Sequence, residues 1–220
     1  GIEIADSRTL RDIVACDALA NALSALDIVM TPTGLGVVAT ETIAPASRER
    51  SAALRRDFIR TRDKAVYTAV NQLMSTPVWR QTPAAGIYLR SLMPLPDLSL
   101  YGVYSDHESE SMYEAWLAYT ARLSTVEQSL AEETISYPVL CLLRDGGLSR
   151  ELRNRIVPEF LKCAMDIMHD RQPSETVLTR LTETVRSSSE TREIWRSSTT
   201  AGKFNLPTFE NKKQSGGYFF

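Results

Sequence analysis

Six large apolar side chains, Met112, Trp116, Tyr119, Leu123, Val126 and Leu130, recur at intervals of four, three, four, three and four residues. That is the narrow stripe of an α-helix lying against another helix. A strand cannot present it, because its side chains change face at every residue. The stripe is too short for a free-standing coiled coil, so it predicts an antiparallel helical bundle.

Other segments carry the same period. Over residues 47–75, Leu54, Phe58, Ala65, Ala69 and Leu73 share a face, with Ile59, Val66 and Val70 beside them, while Arg56, Arg60, Asp63 and Asn71 lie opposite. Residues 9–30 are apolar on nearly all sides, which predicts a core helix opened by the Thr9–Asp12 capping pattern. Ser105 and Glu108 form a second capping box ahead of the Met112 stripe. Pro138 and Gly146-Gly147 bracket a short helix, with proline in its first turn and glycine past its end.

A helix over 148–170 is apolar at Leu152, Ile156, Phe160, Ala164 and Ile167, and Pro158 should kink or split it. Pro173-Ser174-Glu175 opens another, ending at the Ser187–Ser189 run, and Ile194 and Trp195 anchor a last short turn. Over residues 77–104, repeated prolines and glycines predict irregular chain with short helical pieces around Val78–Trp79 and Gly86–Met93, packed through aromatics. Thr31-Pro32-Thr33-Gly34-Leu35-Gly36 reads as a helix stop and turn, leading to a short strand or hairpin near residues 36–43. From Thr199 onward the chain reads as an extended arm.

The expected fold is therefore mainly α: a bundle of about six helices over residues 1–198, then a C-terminal arm over 199–220. No internal repeat is present. Gly1 in place of a methionine reads as a trimmed or added end, with part of the natural N-terminus outside the sequence.

Composition narrows the function classes. The 220 residues are 43% hydrophobic and 24% charged, with a net charge of −2. That disfavours a strongly basic nucleic-acid binder and an acidic solvating tail. The negative charge gathers in residues 101–147, which fits subunits that pair acidic face to basic face as well as it fits solvated helix surfaces. Cys16, Cys141 and Cys163 are widely spaced among apolar neighbours, as small hydrophobes of a reducing compartment are. No uncharged apolar run is long enough to span a membrane.

The chain offers little catalytic chemistry. Its two histidines are His107, inside a predicted cap, and His169, near a predicted helix end. His169-Asp170 is the pair a metal-dependent hydrolase would use, but a closed metal site wants more ligands than the chain supplies nearby. Gly34-Leu35-Gly36 lacks the third glycine and the strand-to-helix setting of a dinucleotide loop. No nucleophile elbow, phosphate loop or zincin motif occurs. No catalytic, cofactor or metal residue is expected.

Two features point to partners. Residues 48–64 hold seven basic and three acidic side chains, with Arg56 and Arg60 one turn apart. They suit a solvated or partner-facing surface better than phosphates, because acids interleave with the bases and Tyr67 is the only nearby aromatic. The arm carries Phe204, Leu206, Phe209, Tyr218, Phe219 and Phe220, which leave a large apolar patch unless they dock, on their own core or on a neighbouring subunit. The expected partner-binding residues are Arg56, Arg60, Phe204, Phe209, Tyr218, Phe219 and Phe220.

Met30-Thr-Pro-Thr-Gly-Leu-Gly-Val-Val38 with Ile43-Ala-Pro-Ala-Ser-Arg-Glu-Arg50, and Phe209-Glu-Asn-Lys-Lys213 with Gly-Gly-Tyr-Phe-Phe220, resemble the two end signatures of an uncharacterised bacteriophage and prophage structural protein family of gut anaerobes. The Trp79-Arg80, Leu92–Asp97 and Glu127–Glu133 stretches extend that resemblance over most of the chain. It implies a non-enzymatic structural protein, such as a head-completion or connector component, in the bacterial cytoplasm or the virion. It brings no functional residues with it. The alternatives are a nucleic-acid-binding adaptor using the basic helix 47–64, and a helical metal-dependent hydrolase using His169-Asp170.

Overall fold

The computed structural model describes residues 7–26, 28–31, 34–37, 48–95 and 111–204. Among these the chain is mainly helical, with helices α1 (Ser7–Leu26), α2 (Arg48–Met74), α3 (Pro77–Arg80), α4 (Pro83–Leu89), α5 (Met112–Glu133), α6 (Tyr137–Asp145), α7 (Arg150–Met168), α8 (Glu175–Ser187), α9 (Arg192–Arg196) and α10 (Thr199–Phe204). Strands β1 (Ile28–Thr31) and β2 (Gly34–Val37) pair antiparallel, Ile28 opposite Val37 and Thr31 opposite Gly34. The chain divides into two compact units, residues 1–122 and 123–220.

In the first unit, α1 and α2 pack together, and Cys16, Ala20, Ala65 and Ala69 are buried. Their small side chains allow the two backbones a close approach. The proline-rich stretch after α2 is ordered by aromatics, as expected. Tyr88 of α4 stacks on Trp116 at 6.1 Å and on Tyr113 at 6.4 Å, and Trp79 tilts against it at 5.8 Å. The Trp116 indole N–H donates to the Pro94 carbonyl at 2.9 Å.

The core of the second unit gathers Leu123 and Leu130 of α5, Leu140 and Leu143 of α6, Ile156 and Phe160 of α7, Leu181 and Val185 of α8, and Trp195 of α9. The C-terminal end of α5 finds its partners in the same unit. Thr200 Oγ1 donates to the Glu132 carbonyl at 3.0 Å, and the Trp195 indole to that of Thr134 at 3.0 Å.

Several expectations need correction. Residues 28–30 leave the predicted helix and form β1. An all-apolar run has no period by which to choose, and Ile28, Val29 and Thr31 are β-branched. Gly34-Leu35-Gly36 belongs to β2, where a turn was expected. Residues 38–43 of the expected strand lie outside the described residues, as do Ser105, His107 and Glu108. The helix start that is described uses Ser111, whose Oγ accepts from the Glu114 N–H at 3.1 Å. Helix α1 already runs from Ser7, so Thr9 lies inside it.

Pro158 sits within α7 without splitting it. On that helix Leu152, Ile156, Phe160 and Ala164 are buried as expected and Cys163 joins them, while Ile167 is exposed. Val126 likewise yields its buried place on α5 to Glu127. Residues 199–204 are helical, with Thr200 and Ala201 buried, so the predicted arm begins as a helix.

The α5–α6 connection carries a strained residue. Ser136 has φ 76° and ψ 146°, backbone space that is nearly glycine's alone, and its fully buried Oγ has no hydrogen-bond partner among the described residues. Its N–H donates to the Ala131 carbonyl at 2.6 Å, which holds the turn closed. Ser136→Gly should therefore stabilise the chain by about 1 kcal/mol, because it removes the strain and the orphaned hydroxyl together. Urea unfolding followed by circular dichroism checks this, and a midpoint at or below wild type contradicts it.

Candidate functional site

One face of α2 presents Val66, Ala69, Val70 and Leu73, spaced by three, one and three residues so that they line up along the helix. Ile13, Val14 and Ala18 of α1 form the facing wall, and Tyr88 and Tyr113 close one side. Together they bound a groove of about 630 Å³. The groove is apolar and open: Val14, in its wall, is 69% exposed.

A cluster of charges fixes one end of it. The Arg62 guanidinium donates to Asp17 Oδ1 at 2.8 Å, to Asp63 Oδ1 at 2.9 Å and 3.1 Å, to Ser111 Oγ at 2.8 Å and to Glu114 Oε1 at 3.1 Å. Three helices, α1, α2 and α5, are thereby tied at one point. Asp63, only 4% exposed, also accepts from Ser111 Oγ at 2.9 Å and from the Tyr113 N–H at 3.1 Å. A carboxylate from α2 thus satisfies donors at the first turn of α5, where the helix dipole favours negative charge.

Burial works against the charge of Arg62, but its hydrogen bonds to Asp17 and Asp63 outweigh burial and hold the guanidinium above its ordinary value. The Tyr113 hydroxyl lies 2.7 Å from that of Tyr88. Burial and this hydrogen bond keep Tyr113 protonated well above the usual range for tyrosine. These groups hold the groove wall in place.

A second pocket, of about 650 Å³ in the other unit, is lined by Glu183, Arg186, Ser187, Trp195 and Arg196. The Arg186 guanidinium lies 5.1 Å above the Trp195 ring, and Phe204 tilts against the same ring at 5.7 Å. Both signs of charge are exposed there, and the indole itself is covered, so it presents less apolar surface than the groove.

The expected partner residues do not converge on either place. Arg56 and Arg60 are exposed on α2, and Arg60 pairs with Asp57 at 3.8 Å. Arg62, counted with the basic stretch on sequence, is drawn into the ion cluster instead. Phe204 is exposed on α10, beside Trp195. Phe209, Tyr218, Phe219 and Phe220 lie outside the described residues.

His169 and Asp170 lie at the C-terminal end of α7. Asp170 takes the left-handed position after α7 at φ 56°, and the N–H groups of Asp170 and Arg171 bond back to the carbonyls of Ile167 and Asp166 at 3.0 Å and 2.8 Å. No group of three or more metal-ligating side chains occurs among the described residues. Nor is any described helix long and apolar enough to cross a membrane.

Residues 8–87 match a family of unknown function, DUF6712. The matched stretch holds both helices of the groove and Asp17, Arg62 and Asp63 of the cluster, and stops short of Ser111, Tyr113 and Glu114. No curated protein and no solved structure matches the chain.

Proposed function

We propose that the chain is a non-enzymatic assembly protein that works by gripping other copies of itself. Within a phage-like particle, its place would be that of a head-completion or connector component. The observation that carries this reading is the open apolar groove between α1 and α2, braced at one end by the Arg62 cluster. Apolar surface left open on a rigid support is what a docking partner covers, and each large side chain so buried contributes about 1.5–3 kcal/mol. The arrangement fits contact better than catalysis, because the charges at the groove end are spent on one another and none is aimed into the cavity alone. The resemblance of the two end segments to a phage structural family supports the same class.

Native mass spectrometry of the full chain tests the proposal. Defined multiples of the 24.6 kDa chain are expected. A strict monomer at every concentration tried would overturn it.

A further inference from the structure

We propose that α2 of one copy lays its N-terminal half in the groove of a second copy, so that copies join head to tail along this helix. The inference rests on the assembly reading and names both faces of the contact.

The groove specifies its occupant by shape and by charge. Arg62, Val66, Val70 and Leu73 follow one another along it at intervals of four, four and three residues. A cleft between two helices is filled by a third whose ridge keeps the same helical spacing. At the Arg62 end, Asp17, Asp63 and Glu114 set three carboxylates against one guanidinium, so that end keeps an excess of negative charge. Asp17 and Glu114 are its outer members, with side chains 46% and 59% exposed. The matching occupant is therefore a helix whose apolar ridge begins at a cation.

The first half of α2 is such a helix. Arg50, Leu54, Phe58 and Thr61 share a face and follow one another at four, four and three residues, the spacing of the floor. Leu54 is 46% exposed, Arg50 and Thr61 are exposed, and Phe58 is partly so. Thr61 donates its hydroxyl to the Asp57 carbonyl at 2.9 Å, so its polar atom is spent within the helix. Each member of the ridge stands twelve residues before a member of the floor: 50 before 62, 54 before 66, 58 before 70 and 61 before 73. Two copies of α2 lying parallel and displaced by about 18 Å, at 1.5 Å per residue, thus bring Arg50 to the acidic end and set Leu54 level with Val66 and Phe58 with Val70. Residues 48–61 hold five basic and two acidic side chains, so the charge of the whole donor half favours that end. Asp57, on the flank of the ridge, pairs with Arg60 at 3.8 Å and brings no unmatched acid. Ridge and floor are different stretches of one helix, so each copy can donate once and accept once, which is the heterologous contact that builds rings and filaments.

The test uses the full chain and two variants that each spoil one half. Val14→Glu places a charge in the groove wall, and Leu54→Glu places one on the ridge, both at exposed positions. Circular dichroism checks that they fold, and Ala18→Glu in the same wall or Arg50→Glu on the same ridge, at further exposed positions, replaces a variant that does not. Masses are read by light scattering. Each variant alone should associate at least about tenfold more weakly than wild type. Mixed, they should form a one-to-one pair, because the intact ridge of the first can enter the intact groove of the second. A wild-type mass retained by either variant overturns the inference and leaves the assembly reading standing. So does a mixture that forms no pair. A monomeric wild type removes both.

Discussion

Arg144→Met should lower the unfolding free energy by about 3–5 kcal/mol, among the largest losses any single substitution in this chain can produce. The reason is Glu127. Its side chain is fully buried on α5, and its Oε2 accepts from Arg144 Nη2 on α6 at 2.8 Å. Arg144 also reaches the Ser124 carbonyl at 3.4 Å. Removing the guanidinium leaves a carboxylate in the interior without its cation, and the desolvation of that charge is then no longer offset.

The double variant Glu127→Leu, Arg144→Met separates this from simple loss of packing. Replacing both charges by apolar groups of similar size is often neutral, so the double variant should recover most of what the single one loses. Chemical denaturation followed by circular dichroism measures both. A loss below about 1 kcal/mol for Arg144→Met, the range of exposed pairs, would show that water reaches Glu127 after all.

The same pair shows where sequence reading stops. The period of residues 112–130 identified α5, and the proline and glycine at either end of α6 bounded it to within a residue or so, because both signals act over one or two turns. The stripe found the innermost side of α5 at Met112, Trp116, Leu123 and Leu130 and missed it by one position at Tyr119 and Val126, where Thr120 and Glu127 are buried instead. A carboxylate is excluded from a core by its own chemistry, and only a cation seventeen residues further on reverses that.

The groove divides in the same way. Val66, Val70 and Leu73 were legible as an apolar face. That the face stays partly open depends on where α1 comes to lie. Arg62 and Asp63 read as surface charges because the partners that draw them in, Asp17 and Ser111, lie more than forty residues away in either direction. The hairpin was expected too late in the chain, near residues 36–43 where it spans 28–37, for a local reason: an apolar run with β-branched residues after a helix has no period to announce its change of structure.

Arg62→Leu is expected to destabilise the chain by about 3 kcal/mol. The substitution keeps a long apolar stem beside Val66 but takes five hydrogen bonds from Asp17, Asp63, Ser111 and Glu114. Asp17 and Glu114 are half exposed and can turn to water. Asp63 cannot: buried, it keeps only Ser111 Oγ and the Tyr113 N–H, two neutral donors, against its full charge. The loss therefore sits mainly on Asp63.

Arg62→Lys should fall between wild type and Arg62→Leu. A single ammonium retains the charge but has no planar fork with which to meet carboxylates on three helices at once. Asp63→Asn in the Arg62→Leu background should restore part of the lost stability, because the buried charge goes while an acceptor for Ser111 and Tyr113 stays. Urea midpoints for the four proteins decide the matter. If Asp63→Asn deepens the loss instead, the carboxylate's hold on the first turn of α5 outweighs its desolvation, and Arg62 acts chiefly by tying α1 to α2.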